Sequence, residues 1–334
     1  MCARFRVTVD IIVTEMIAFN RMTLPFRAEF SLAGTRCLLS TNSREVMCLS
    51  APWQAVSSAP GAPSFQMEIF VGPSLASDTP AIPHFRGHGH LVFALLEPRS
   101  LLSFDLLRRR VTGALSPAAA CDSYFWNVQL LPIAIGLLGT TMGVAPLHCA
   151  CLDRDGSGLL VAGDSGAGKS TLTAALARRG FTVVSDGWTY VSRNPGRLVA
   201  HGLFAPIKLL PDTVQFFPEL RSKTPKRTLN GELALEVDPA NLFQSPVRSS
   251  AHPRWLVFLE RTSLPGCQFV PCRPEHTIQF FERNGEKLPP GLPEAARARS
   301  EVIKELSTCH SWILRTGSDP MQTASAIEEF LSRE

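Results

Sequence analysis

The sequence predicts an α/β protein, and three observations support this fold class. An apolar run at residues 158–162 is typical of a buried strand, and a glycine-rich loop at residues 163–170 follows it directly. Residues 171–180 then carry helix-forming side chains, a basic last turn and a terminal glycine. A second apolar run at residues 181–185 ends on Asp186. Strand, loop, helix and strand in this order are typical of an α/β core.

The glycine loop fits the phosphate-binding pattern G-x-x-x-x-G-K-[ST] at every fixed position. Its glycines allow a tight turn that brings backbone N–H groups close to an anion, and the following helix points its positive end at the same place. Lys169 can reach the β- and γ-phosphates of a nucleotide, and the Ser170 hydroxyl can ligate Mg²⁺. An accidental glycine-rich turn is the alternative, and both flanking segments argue against it. The expected nucleotide-binding residues are Gly163, Asp164, Ser165, Gly166, Ala167, Gly168, Lys169, Ser170 and Thr171.

Asp186 is the carboxylate candidate for the same site. It ends the strand that we expect beside the glycine loop, where ligands bind in open α/β sheets. There it would hold the metal or act as base toward an attacking hydroxyl. A plain turn or helix cap stays open as the alternative, because Asp-Gly is a common turn signal.

Four stretches of the chain match one known pattern: HCACL at 148–152, GDSGAGKS at 163–170, RGFTVVSD at 179–186 and WLVFLER at 255–261. Together they resemble the catalytic domain of the HPr kinase/phosphorylase family and its smaller relatives, over residues 128–334. The resemblance implies a phosphoenolpyruvate-carboxykinase-like core and phosphorylation of a protein serine with ATP and Mg²⁺. Relatives of this length resemble kinases that modify serine in lasso-peptide precursors.

The resemblance also implies roles for individual residues. The positions that match the family's phosphate and metal residues are Ser165, Lys169 and Ser170. Asp186 matches the first of two paired aspartates, but the second is Gly187 here, and His148 matches a histidine near the active site. Asp186 must therefore do both jobs, another acid must substitute, or phosphoryl transfer is weak. A further charged motif of the family has no clear counterpart, which argues against a bifunctional enzyme acting on HPr.

Other charged residues have two readings each. Glu260, at a strand end, would be a metal or supporting carboxylate or an ordinary surface charge. Lys208 would meet a phosphate, although a lysine extending to solvent is the favoured reading. The basic stretch at 221–227 would grip an acidic peptide or a triphosphate, or form a solvated loop. His88 and His90 lack metal-ligand neighbours and indicate a turn.

Composition agrees with an intracellular enzyme. The 334 residues are 45% apolar and 19% charged, which is typical of a globular chain and not a disordered one. The net charge of +4 comes from scattered residues, so no nucleic-acid-binding face is expected. Nine cysteines without C-x-x-C spacing indicate reduced thiols and a cytoplasmic location. Residues 1–10 lack the apolar core of a signal peptide, and the apolar run 130–147 is expected to be a buried helix ending near Gly143, followed by a strand from Leu147, with no membrane association.

The chain is expected to divide near residue 125. Residues 1–125 show alternating strands at 26–32, 65–71 and 90–96, and predict a β-rich domain without recognisable chemistry. Residues 126–334 would form the phosphate-loop catalytic domain, with strands at 198–204, 207–210, 255–260 and 311–315. Helices are predicted at 293–306 and from Pro320 to Leu331, the latter capped by Asp319.

Three functions follow, in descending order. The first is an ATP- and Mg²⁺-dependent kinase of a serine-type hydroxyl on a protein or precursor peptide. In it, Lys169 holds phosphate, Ser170 and Asp186 hold the metal, and Asp186, helped by His148, takes the acceptor proton. The second is a nucleotide-binding module that presents a peptide to partner enzymes, motivated by Gly187. The third is a kinase of a small alcohol such as free serine. A homo-oligomer is compatible with each of them.

Overall fold

The computed structural model describes residues 23–54, 61–72, 84–97, 100–194, 196–228, 231–263, 266–285, 288 and 292–333. Within these ranges the protein is a mixed α/β structure with eight α-helices and twenty strands in four sheets. The α/β class predicted from the sequence is therefore confirmed. The expectations for residues 1–10 and for most of the loop at 57–64 lie outside the described residues.

A seven-stranded sheet occupies the first part of the chain. Its strand order is β1-β2-β3-β7-β6-β5-β4, and a helix packs on it after the second strand. The predicted alternating strands at 26–32 and 65–71 are confirmed, and the third begins at Leu91. The elements are β1 (Phe26–Leu32), β2 (Thr35–Thr41), α1 (Arg44–Gln54), β3 (Ser64–Val71), β4 (His84–His88), β5 (Leu91–Glu97), β6 (Ser100–Asp105) and β7 (Arg110–Leu115).

A continuous helical run connects this sheet to the rest of the chain. After α2 (Pro117–Ala120) come a π-helical segment (Phe125–Leu130), α3 (Leu131–Leu138) and a 3₁₀ turn (Gly139–Met142). The run ends at Gly143 with φ of +76°, as predicted. By length and composition Phe125–Met142 could cross a bilayer, but 56% of it is buried inside the protein, as in a core helix. The predicted strand start at Leu147 is wrong: β8 (Val144–Leu147) ends there, because the chain turns at His148.

The second part of the chain builds three more sheets. In order, its elements are β9 (Ala150–Arg154), β10 (Ser157–Ala162), α4 (Lys169–Arg178), β11 (Thr182–Ser185), β12 (Thr189–Asn194), β13 (Arg197–His201), β14 (Ile207–Leu209), β15 (Lys226–Arg227), β16 (Leu233–Val237), α5 (Pro239–Phe243), β17 (Ser250–Ala251), β18 (Pro253–Arg261), β19 (Cys267–Pro271), α6 (Pro274–Asn284), α7 (Pro293–Leu306), β20 (His310–Thr316) and α8 (Pro320–Leu331). Helices α1, α2, α5 and α6 were not predicted. The predicted strands and helices from residue 158 onward are present, with small shifts at their ends.

The six-stranded sheet, in the order β11-β9-β10-β18-β20-β19, is buried on both faces. Along β10, Leu159 and Val161 join one hydrophobic core with α4 and α8, whereas Leu160 and Ala162 join another with α6 and α7. A strand covered on both faces needs apolar side chains at every position, which explains the unbroken apolar run before the glycine loop.

The seven-stranded sheet packs closely on the later part of the chain. Its hydrophobic core also contains the Phe125–Leu138 helical residues and, from far along the sequence, Tyr190 and Leu203. At the β1–β2 turn, a Cβ placed on Gly34 would lie 2.8 Å from Nε2 of His201. The division near residue 125 stays a prediction.

Candidate functional site

Four strands of the six-stranded sheet bring their carboxyl ends to one edge. Strands β10, β18 and β20 pair in parallel, and β11 runs in the same direction because both it and β10 are antiparallel to the intervening β9. Gly163 follows β10, Asp186 follows β11 and Arg261 ends β18. His148 precedes the oppositely running β9, so it lies at the same edge. The expectation that the Asp186 strand neighbours the glycine loop directly is wrong, since the β9–β10 hairpin inserts β9 between them.

The glycine loop, residues 163–170, has the backbone that its sequence predicts. Gly166 and Gly168 have φ of +80° and +97°, values that L side chains rarely adopt. A Cβ at Gly163 would lie 3.1 Å from both the Leu259 carbonyl oxygen and the Ala167 Cβ, so this position also has no room for a side chain. Asp164, Ser165 and Gly166 are exposed at the tip.

Helix α4 begins immediately after this loop. Its N-cap residue, Gly168, offers no side-chain acceptor, so no side chain caps the helix start. The free N–H groups of the first turn and the helix dipole therefore both favour an anion at the loop.

Lys169 lies at this helix start with its ammonium group turned into the loop. Nζ donates to the Gly163 carbonyl oxygen at 2.8 Å and to the Asp164 carbonyl oxygen at 3.2 Å. Burial lowers the pKa of Lys169 from its ordinary value, and the Asp186 carboxylate opposes that shift. The cation is thus satisfied by weak neutral acceptors, which a phosphate oxygen can replace with a charge-assisted hydrogen bond.

Asp186 has one satisfied and one unsatisfied oxygen. Oδ2 accepts from the Lys208 backbone N–H at 3.3 Å. Oδ1 is buried and has no hydrogen-bond partner among the residues that the structure describes. Burial raises the pKa of Asp186 to about 6, although the hydroxyls of Ser170 and Thr173, the Lys208 N–H and the Lys169 charge each lower it.

The donor set around Asp186 suits a hard cation. Mg²⁺ prefers carboxylate and hydroxyl oxygens, and usually takes one or two protein carboxylates together with substrate phosphates and water. The unpartnered Oδ1 and the nearby Ser170 hydroxyl meet that requirement at the mouth of the phosphate loop. The residues present therefore fit Mg²⁺. Among the described residues no group of three His, Cys, Asp or Glu side chains could bind a metal without such a ligand.

His148 is half-buried close to Lys169. Its ring lies 5.3 Å from the Trp188 ring, between centroids, at an interplanar angle of 33°. Burial and then the Lys169 charge lower the pKa of His148, so the imidazole is neutral at pH 7. A neutral imidazole can accept a proton, which is compatible with the supporting role expected from the sequence.

Gly187 adopts φ of +84°, and a Cβ built there meets nothing within 4 Å. The backbone conformation, not lack of space, accounts for glycine at this position. No side chain stands where the family pattern has its second aspartate.

Arg261 is a residue that sequence reasoning passed over. Its guanidinium Nη2 lies 3.5 Å from the position of a Cβ on Gly168, and no carboxylate of the described chain is within ion-pair distance of it. Its only sequence signal is a basic residue at the end of a buried strand. With Thr171, Arg261 borders a cleft of about 280 Å³ beside the glycine loop. The cleft is lined by Ala167, Gly168, Thr171, Leu172, Leu259, Arg261, Thr316, Gly317, Ser318, Pro320 and Thr323.

Other candidate residues lie away from Asp186 or serve ordinary roles. Glu260 is exposed and pairs with Arg315 at 2.9 Å, the strand-end charge that was one of its two readings. The Asp164 carboxylate pairs with Arg283 at 3.1 Å. His88 ends β4 and His90 follows in a turn. Lys208 contributes its backbone N–H to Asp186, a contact that neither reading of its side chain included.

Comparisons with known proteins add little at the level of sequence. No family model matches the chain, and no curated protein matches it. Among solved structures, the HPr(Ser) kinase/phosphatase from Coxiella burnetii matches at 12% identity and a TM-score of 0.29. That match covers 56% of this chain and 97% of the other. It is a distant structural relation, and the site above is argued from its own geometry.

Proposed function

We propose that this chain is an ATP- and Mg²⁺-dependent kinase that transfers the γ-phosphate to a serine-type hydroxyl of a protein or ribosomally made precursor peptide. The observation that carries the proposal is the buried, unpartnered Oδ1 of Asp186 beside Ser170 and Lys169, at the open end of a phosphate-type loop. The proposed core is of the phosphoenolpyruvate-carboxykinase-like type in residues 126–334. A cytoplasmic location and a possible homo-oligomer belong to the same proposal.

Each residue then has a defined task. The backbone N–H groups of the loop and the start of α4 bind the phosphates, and Lys169 moves from its carbonyl acceptors to phosphate oxygens. Ser170 and Asp186 would hold Mg²⁺, which would neutralise charge on the phosphates. Asp186 takes the acceptor proton as the oxygen attacks in line, with neutral His148 nearby as a second proton acceptor.

The test is mass spectrometry of acceptors after incubation with ATP and Mg²⁺. The acceptors are small precursor peptides from the same genome, free serine and an HPr-like protein. Lys169→Ala and Asp186→Asn are expected to abolish the phosphate-mass gain, and Asp186→Asn is expected to retain ATP binding. Matched controls are Lys304→Ala, on an exposed face of α7, and Asp155→Asn, whose carboxylate is 94% exposed.

A phosphate gain that persists in Asp186→Asn would overturn the assignment of that residue. If no acceptor gains phosphate while ATP binds, the nucleotide-dependent binding module replaces the kinase, and Gly187 becomes its explanation. Phosphate on free serine alone would make the protein a small-alcohol kinase.

A further inference from the structure

A small sheet beside Asp186 has a face that the proposed chemistry does not use. Strands β14, β16 and β15 pair in that order, with Lys208 opposite Glu236 and Lys226 opposite Ala234. Cross-strand partners lie on one face, and Ala234 and Glu236 are two residues apart on β16, so they share it too. Lys208 and Lys226 therefore project from the same face. The other face turns into a hydrophobic core through Ile207, Leu209, Leu235 and Val237.

This face begins at the candidate site itself. The backbone N–H of Lys208 is bonded to Asp186, so β14 lies directly against the carboxylate that would receive the acceptor proton. Farther back, Gly202 packs so tightly on Val184 that a Cβ there would meet the Val184 carbonyl oxygen at 1.6 Å. The segment from 202 to 210 is thereby held against the strand that ends at Asp186.

Exposed aromatic and aliphatic side chains border the face. Tyr124 is 36% exposed, and its hydroxyl donates to the Glu236 carboxylate. Phe204 and Leu210, which flank β14, are 45% and 47% exposed. Phe204 has φ of +53°, a conformation uncommon for an aromatic residue, and its ring lies 5.5 Å from that of Trp53 on α1.

The charge of this region is positive once existing pairs are removed. Among the described residues, the side chains of Lys208, Arg221, Lys223, Lys226 and Arg227 have no carboxylate within ion-pair distance. The acidic residues are mostly engaged: Glu219 with Arg178, Glu236 with Tyr124, and Asp238 at the cap of α5. The free charges therefore favour an anionic partner.

We propose that the face formed by Tyr124, Phe204, Lys208, Leu210 and Lys226, called here the docking face, binds an extended acidic segment of the acceptor polypeptide next to its serine. This inference rests on the proposed kinase function. Lys208 and Lys226 stand two strand spacings apart, about 10 Å. An extended chain covers that distance in about three residues, so two acidic side chains at such a separation would meet both lysines. A free amino acid would need only the residues around Asp186.

The experiment measures binding without requiring phosphate transfer. A dye-labelled 12-residue peptide with one serine, followed by glutamates and leucines, is titrated with the full chain, Mg²⁺ and a non-hydrolysable ATP analogue, using fluorescence anisotropy. Versions with glutamine or lysine replacing every glutamate serve as the comparison peptides. The acidic peptide is expected to bind at least tenfold more tightly than the glutamine peptide and to weaken as salt rises.

Three variants locate the binding. Lys226→Glu is expected to weaken the acidic peptide about tenfold and to improve the lysine peptide. Phe204→Ala is expected to weaken all three peptides severalfold, whereas Lys304→Glu, the matched control on α7, leaves each unchanged. Equal affinity for acidic and lysine peptides, or an unaffected Lys226→Glu variant, would overturn the inference.

The outcomes separate this inference from the kinase proposal. Peptide binding that depends on Lys226, without any phosphate-mass gain in the same peptide, upholds the docking face and removes the kinase. Phosphorylation of free serine without charge-dependent peptide binding does the reverse.

Discussion

The hydroxyl of Thr189 donates a hydrogen bond to the carbonyl oxygen of Cys149 over 2.8 Å. The same hydroxyl lies 2.7 Å from the Ser185 hydroxyl, and Thr189 and Ser185 are both buried. Cys149 follows His148 and Ser185 precedes Asp186 in the chain. One pair of buried hydroxyls therefore ties together the two segments that bring His148 and Asp186 to the same sheet edge.

Replacing Thr189 with valine should damage both stability and catalysis. The change preserves shape but leaves the Cys149 carbonyl and the Ser185 hydroxyl without this partner, at a cost of about 1–3 kcal/mol. We expect a lower melting temperature and a kcat reduced about tenfold, with little change in nucleotide affinity. Thr189→Ser, which keeps the hydroxyl, should restore most of both. A valine variant with wild-type kcat would remove the positioning role.

The charge on Asp186 should destabilise the protein without ligand. Its folded-state pKa of about 6 lies above the ordinary value of 3.8, so the folded protein binds this proton more tightly than the unfolded chain does. The stability linked to the proton is complete below the ordinary pKa and is lost as pH rises through about 6. Asp186→Asn should therefore melt several degrees higher than wild type at pH 7.5.

This gain should disappear near pH 4, where the wild-type carboxyl is also neutral. Adding Mg²⁺ with an ATP analogue should stabilise wild type and reduce the difference, because the bound cation favours the charged carboxylate. Melting curves from pH 4 to 8, with and without that mixture, check both statements. A difference that does not change with pH would show that the charge of Asp186 is not its cause.

Local sequence signals predicted the phosphate-type loop well because they are short-range. The unbroken apolar run of β10, the left-handed conformations at Gly166 and Gly168, and the uncapped helix start each follow from adjacent residues. The Asp319 cap of α8 is a similar case, since its carboxylate accepts from the N–H groups of two following residues. These features need no knowledge of the rest of the fold.

Long-range contacts could not be predicted in the same way. The Lys208 N–H that binds Asp186 is 22 residues away in sequence, and Arg261 reaches the loop only because β18 pairs in parallel with β10. Neither position has a local pattern that indicates its partner. Helix α1, with a proline inside it, also contradicts the local signals that predict helices, and it packs on β1.

Gly34 should tolerate alanine poorly, because it carries two constraints at once. Its φ of +77° disfavours an L side chain, and the new Cβ would lie 2.8 Å from the His201 ring. We expect a loss of about 2–4 kcal/mol from strain and crowding together. Gly143→Ala is the matched control: its φ is +76°, but a Cβ there meets nothing within 4 Å, so only the conformational cost of about 1 kcal/mol remains. Equal losses in urea unfolding would contradict the contact with His201.

Arg261 should strengthen phosphate binding from the side of the loop opposite Asp186. Its guanidinium lies against Gly168 at the start of α4, where an anion already meets uncapped N–H groups, and it has no ion-pair partner among the described residues to give up. Arg261→Ala should weaken ATP about tenfold, while Arg197→Ala, an exposed arginine on β13, should change nothing. Titrating inorganic tripolyphosphate by calorimetry separates two contacts: an equal loss for tripolyphosphate and ATP indicates that Arg261 meets the phosphates, because tripolyphosphate has no nucleoside. Unchanged affinity for both ligands would remove Arg261 from the site.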